Sequence, residues 1–189
     1  MICDISDFIN QSDFNLRLSD NNKWQELLSN KGLEEKFINK DESYIIKYKK
    51  KDLSKENYST IGKLRSLVCQ DTSILSFSPP KCLDFNEFIH KYPCNECFAE
   101  DYIEGTMITA YFNKKSNKWE ISSKSAIGAS VYFYDKDLTF DKMFFQACEN
   151  CNFSIESLPK DYCYTFVLQH PNNRIVLNIT IPYIYLIKV

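Results

Sequence analysis

Two Cys-x-x-Cys pairs, Cys94-Asn95-Glu96-Cys97 and Cys148-Glu149-Asn150-Cys151, account for half of the eight cysteines in this 189-residue chain. Two thiolates at that spacing can grip one zinc ion, and two such pairs would complete a tetrahedral, all-thiolate site. The gap between the pairs is longer than common zinc-finger or ribbon spacings, so reduced, partly buried thiols are the competing reading. A second resource is cationic. Lys47, Lys49, Lys50, Lys51, Lys55, Lys63 and Arg65 face only Asp52 and Glu56 in the same stretch, and could meet a phosphate or form a solvated face. The third is Glu104-Gly105-Thr106, where glycine permits close backbone approach and a hydroxyl can donate to phosphate. The same tripeptide also reads as a strand with a bulge at Gly105.

Positioning these groups falls to elements legible from periodicity. Residues 1–42 read as a helical N-terminal part, with Trp24, Leu27, Leu28 and Leu33 on one apolar face and Gly32 interrupting two helical pieces. From Ser43 the pattern turns to strands. Tyr44 to Tyr48 forms one run; Leu64 to Cys69 and Ser73 to Phe77 form two more around Gln70-Asp71-Thr72, the last ended by Pro79-Pro80. Phe85 to His90 predicts a short helix capped by Asp84. Phe98 to Phe112 and Trp119 to Ser125 predict a hairpin about a polar turn. Thr139 to Cys148 predicts a helix with Phe140, Met143, Phe144 and Ala147 on one face. Strands are expected again at Cys163 to Leu168, Arg174 to Ile179 and Tyr183 to Val189, with Pro171-Asn172-Asn173 as a turn. The final stretch, Ile179 to Val189, reads as buried. The expectation is one α+β domain, mainly antiparallel sheets with flanking helices.

Composition fits a soluble globular chain rich in rings, with 14 Phe and 12 Tyr to build a dense core. A formal net charge of −2 argues against coating nucleic acid or membrane by bulk electrostatics. No signal peptide and no apolar run of the ~18 residues a span needs is visible, so an intracellular, cytoplasmic chain with reduced thiols and no membrane partner is expected.

Read in order, segments from about Arg65 to Val189 resemble the nucleotidyltransferase domain of RNA ligases of the phage RNA ligase 1 type, and related ligase-like proteins of large DNA viruses. Arg65-Ser66-Leu67-Val68 followed by Pro79-Pro80-Lys81 is similar to the family's Arg-Gly strand and Pro-Lys segment, with serine in place of the glycine. Tyr102-Ile103-Glu104-Gly105-Thr106 resembles the Lys-x-Asp-Gly-Ser/Thr signature, with Tyr102 where the family's lysine becomes lysyl-AMP. Ser123-Lys124-Ser125 resembles the strand that aims a cation at the nucleotide. Tyr164 to Val176 resembles a later stretch in which the family's glutamate position is filled by Val167. Gln169, two residues on, faces the same side as Val167 and could hydrogen-bond a ribose.

The resemblance implies an ATP-grasp-like nucleotidyltransferase core over 43–189, truncated after its third motif. It implies ATP or AMP and Mg²⁺ as cofactors, and a nucleotide or RNA end as partner. Arg65, Lys81, Glu104, Gly105, Thr106, Lys124 and Gln169 would form the nucleotide site, with Tyr102 as the one side chain at the nucleophile position. A phenol with a reference pKa near ~10 would need its own base, so a degenerate binder with weak or no ligase activity is expected. The alternatives are an active enzyme using Tyr102 or a lysine brought in by the fold, and a non-enzymatic module that has lost the pocket.

Overall fold

The structure is a computed structural model that describes residues 9–37 and 42–189. The rest of the expected N-terminal helical part, residues 1–8 and 38–41, lies outside the described residues.

Two short helices open the chain, α1 (Gln11–Ser19) and α2 (Asn21–Asn30). Asn10 begins α1 with a capping box, its side chain accepting from the Asp13 backbone while Asp13 accepts from the Asn10 N–H. Asp20 caps α2 by accepting from Lys23 N–H. Gly32, at φ +69°, stops α2 in the left-handed conformation, and the chain leaves it as a strand. That corrects the expectation of helix through residue 42. Leu33–Phe37 is β1, paired antiparallel with β2 (Ser43–Tyr48). Tertiary pairing overrides the helix propensity of Glu34, Glu35 and Lys36.

β3 (Leu67–Gln70) and β4 (Ser73–Phe77) complete an antiparallel meander in the order β1-β2-β3-β4. α3 (Phe85–Lys91) follows, capped by Asp84 as expected. β5 (Thr106–Asn113) and β6 (Lys118–Ser123) make the second hairpin, so residues 98–105 are not strand. α4 (Phe140–Asn150) precedes β7 (Tyr164–Gln169) and β8 (Tyr183–Lys188). These strands form a second antiparallel sheet in the order β6-β5-β7-β8. The expected strand at Arg174 to Ile179 is absent; those residues are a loop. The architecture is α+β, two antiparallel sheets with four α-helices among the described residues.

Strand alternation decides which sheet face meets which layer. On the first sheet Tyr44, Ile46, Leu67 and Cys69 pack with Phe14, Trp24 and Leu28 of the N-terminal helices. A partly buried bidentate ion pair, Arg17 to Glu35, supports this layer, and Trp24 Nε1 also donates to Glu35. On the second sheet Ile108, Ala110, Phe166 and Leu168 pack with Met143, Phe144 and Ala147 of α4. The remaining two faces meet each other through a much smaller apolar cluster, Ile45 and Val68 against Tyr111 and Ile127. The order of layers is therefore helices, sheet, sheet, helix.

Candidate functional site

The interface between the sheets is built from hydroxyls as much as from hydrocarbon. Ser122, Thr109 and Thr165 stand in one cross-strand row on β6, β5 and β7, on the face away from α4. Opposite them the first sheet presents Ser76, paired with Val68, and Ser78, whose N–H donates to Ser66 O at 2.9 Å. All are buried, and Ser78 is 3% exposed. The hydroxyls of Ser76 and Ser78 make no hydrogen bond among the described residues. An unpaired buried hydroxyl costs roughly 1–3 kcal/mol, so such a layer is poorly explained as packing alone.

One end of this layer is cationic. β2 alternates Ser43, Ile45 and Lys47 toward the second sheet, so Lys47 is carried inward by the same period that buries Ile45. Its side chain is only 12% exposed, and Nζ sits 3.3 Å from Glu34 and donates to Ser125 Oγ at 2.9 Å. Burial holds the Lys47 ammonium below the usual lysine range; Lys36 and Lys124 push the same way, while Glu34 pulls against them. Lys124, one residue beyond β6, donates to Tyr48 Oη at 3.4 Å and lies 4.8 Å from the centre of that ring. Ile46 pairs with Leu67, which places Ser66 next to Lys47 at the same end. Arg65, immediately before it, is half-buried with no ion-pair partner among the described residues. Lys81 joins this end through its backbone, whose N–H donates to Gly62 O at 3.0 Å, and its ammonium covers the Tyr58 ring. Lys124 is thus the one expected cation whose ammonium meets the end of β2; Arg65 and Lys81 are near it along the chain, with the Lys81 ammonium turned to Tyr58. Lys47, singled out in the sequence only as part of a basic stretch, stands at that end of β2.

The Glu-Gly-Thr motif serves another purpose. The Glu104 carboxylate accepts from Val176 and Leu177 N–H at 2.9 and 3.2 Å, and its carbonyl accepts from Gln169 Nε2 at 2.8 Å. Thr106 Oγ1 accepts from Asn173 Nδ2 at 2.7 Å. A Cβ on Gly105, at φ +158°, would fall 2.4 Å from Leu168 O and 2.6 Å from Val167 Cγ1. Glu104, Gly105, Thr106 and Gln169 are therefore brought together, as an internal clamp that ties the start of β5 to β7 and the 174–182 loop. Glycine is required here for the approach of the β7 backbone. A glutamate that holds a loop 72 residues further along the chain carries no local signal, which is why spacing alone could not reveal the clamp.

Tyr102 is 90% exposed, out in solvent. Nothing in that setting activates a phenol. The cysteine pairs do not converge: no group of three or more His, Cys, Asp or Glu able to hold a metal occurs among the described residues. Cys94 and Cys97 lie in an exposed 3-10 turn, whereas Cys148 is in the α4 core and Cys151 caps that helix. Burial pushes the Cys148 thiol up to about 11, the opposite of what a metal ligand or nucleophile requires. Among the described residues, carboxylates likewise form no preformed cage for Mg²⁺.

A groove of about 390 Å³ lies at the other end of the strands, between the β3–β4 turn, the β5–β6 turn and residues 160–162. Two of its lysines are already paired, Lys115 with Asp71 at 3.1 Å and Lys114 with Asp161 at 3.6 Å. Lys160 lies over the Phe112 ring. The groove contains none of the expected site residues. No helix among the described residues is long and apolar enough to cross a membrane. Neither protein-family models nor curated proteins match this chain.

Proposed function

We propose that the chain is an RNA-ligase-like nucleotidyltransferase domain that binds the phosphates of a nucleotide or RNA end without catalysis at the Tyr102 position. One observation carries the reading: Lys47 and Lys124, from different sheets, reach the same end of a hydroxyl-lined layer between those sheets. Two ammonium groups held close together with like-charge cost are stabilised by an anion, and phosphate oxygens supply both charge and acceptors. On this reading Arg65 and Lys81, close to the same end along the chain, add cations to it. The order Arg65, Lys81, Lys124 in the sequence is the order the resemblance requires, which supports the assignment to this fold type.

The test is a thermal melt with ATP, AMP, pyrophosphate and a 5′-phosphorylated oligoribonucleotide. Saturation at a hundredfold excess over Kd stabilises by about 2.7 kcal/mol, readily seen. Lys47→Met and Lys124→Met should each weaken the shift. If none of these ligands moves the wild-type melt, the chain is instead a non-enzymatic module.

A second reading rests on the depressed ammonium of Lys47. As a free amine, its ammonium proton released to solvent beforehand, it would attack the α-phosphorus of a nucleoside triphosphate, forming a P–N bond as the P–O bond to pyrophosphate breaks. α-Labelled ATP should then leave an acid-labile, base-stable adduct mapping to Lys47. A ligand-induced melt shift without any label would retain binding and remove this chemistry.

A further inference from the structure

Seven of the eight cysteines fall among the described residues, all as free thiols, and they differ in what can reach them. Cys69 and Cys148 are buried, and burial pushes both thiols up, Cys148 to about 11. Cys82 is exposed and Cys163 half-buried, and neither has another cysteine nearby in sequence. Cys94 and Cys97 combine close spacing with access. Cys94 is exposed and Cys97 half-buried, in the stretch that joins α3 to β5.

The turn that carries them has the shape a disulfide needs. Pro93 opens it at φ −62°, and Cys97 N–H donates to Cys94 O at 3.2 Å, which closes a single 3-10 turn. Residues three apart in such a turn eclipse one another. At a rise of about 2 Å per residue their Cα atoms lie about 6 Å apart, within the roughly 4.4–6.8 Å that a disulfide spans. The second thiol is also turned toward the first: Cys97 Sγ donates to Pro93 O at 3.2 Å, on the peptide that leads into Cys94. The other Cys-x-x-Cys pair has the same spacing without the access, since Cys148 is 5% exposed within the α4 core.

We propose that Cys94 and Cys97 form a dithiol site that exchanges with low-molecular-weight disulfides of the glutathione class and closes reversibly to an intramolecular disulfide. The exposed Cys94 thiolate attacks one sulfur of the incoming disulfide; that S–S bond breaks, one thiolate leaves, and a mixed disulfide remains on Cys94. Cys97, its proton released to solvent, then attacks Cys94 Sγ and expels the second thiolate. The two cysteines lose two electrons and two protons, and the small disulfide gains them as two thiols. The exchange requires neither Lys47 nor Lys124, so its outcome is independent of nucleotide binding.

The test incubates the folded full chain with oxidised glutathione at about pH 8, where ordinary thiols are partly ionised, followed by alkylation and peptide mass spectrometry. The wild type should lose two alkylatable thiols together, both from the 94–97 turn, and excess reduced glutathione should restore them. Cys97→Ser changes a surface turn, so the fold should persist by circular dichroism. That variant should retain glutathione on Cys94 at least about tenfold more than the wild type, because the intramolecular second step is removed. Glutathione that persists on wild-type Cys94 as it does on Cys82 overturns the proposal. So does closure of Cys148 with Cys151 ahead of the exposed pair, or a turn whose thiols do not react.

Discussion

Lys47 Nζ donates to Ser125 Oγ at 2.9 Å, joining the first sheet to the segment just beyond β6 of the second, 78 residues further along the chain. Around this contact the first sheet contributes Glu34 and Tyr48 and the second contributes Lys124. The arrangement sets Lys124 near an ammonium whose hydration burial weakens, and the proposed anion site rests on that pair.

Lys47→Met should raise the melting temperature of the ligand-free protein or leave it unchanged, because it removes a partly desolvated charge that repels Lys124. The same substitution should diminish stabilisation by pyrophosphate. The pair of melts, with and without pyrophosphate, reads the two effects separately. A structural lysine held only by Glu34 would instead show simple destabilisation in both.

Gly105→Ala should destabilise by about 2–3 kcal/mol, since its Cβ must displace the β7 backbone and adopt a conformation that L residues rarely take. Urea unfolding measures this directly. A loss below about 0.5 kcal/mol, the range of a neutral surface change, would mean that the strand approach relaxes freely.

Glu104→Ala should free the 174–182 loop, because two backbone N–H groups lose their acceptor at a cost of roughly 1–3 kcal/mol. Hydrogen exchange at Val176 and Leu177 should quicken, while pyrophosphate stabilisation survives. Loss of ligand response in a variant that remains folded would return Glu104 to the binding site.

Tyr102→Phe should change neither the melting temperature nor any nucleotide labelling, as expected for a side chain that is almost wholly exposed. Label that disappears with this substitution would restore the phenol as nucleophile.

His170 gives the chain a pH dependence. Its Nδ1 accepts from Asn172 N–H at 3.2 Å, so Nε2 carries the proton toward Gln146 Oε1 at 2.9 Å and the ring is neutral. Burial holds its folded pKa below the ordinary value of 6.5. As pH falls, the unfolded chain is protonated first. His170's contribution is therefore complete above about pH 6.5 and declines as pH drops toward the folded pKa. Melts between about pH 5 and 8 should show that slope in the wild type and a flatter one in His170→Asn.

Local chemistry determines much of the element map. The Asp84 cap, the apolar face of Phe140, Met143, Phe144 and Ala147, and the turn at Gln70-Asp71-Thr72 are short-range signals, and each is legible because its partners lie within a few residues. β1 escapes such a reading because Leu33–Phe37 is a strand only by virtue of β2 beside it. Arg174 to Ile179 imitates a strand because its β-branched residues satisfy the pattern, while its backbone is claimed by Glu104 from before β5.

The site divides in the same way. Sequence order is enough to propose Arg65, Lys81 and Lys124, whose charges are independent of context. It cannot distinguish a glycine that admits a ligand from one that admits a neighbouring strand, because both demands fall on the same missing Cβ. Nor can it raise Lys47 above the other lysines of its stretch. Strand period sends that residue inward, but only the packing of one sheet on the other removes its water and supplies Lys124 and Ser125 as neighbours. Residue identity settled which charges exist; tertiary structure decided which of them loses its water, because burial depends on what packs against a side chain and not on its type.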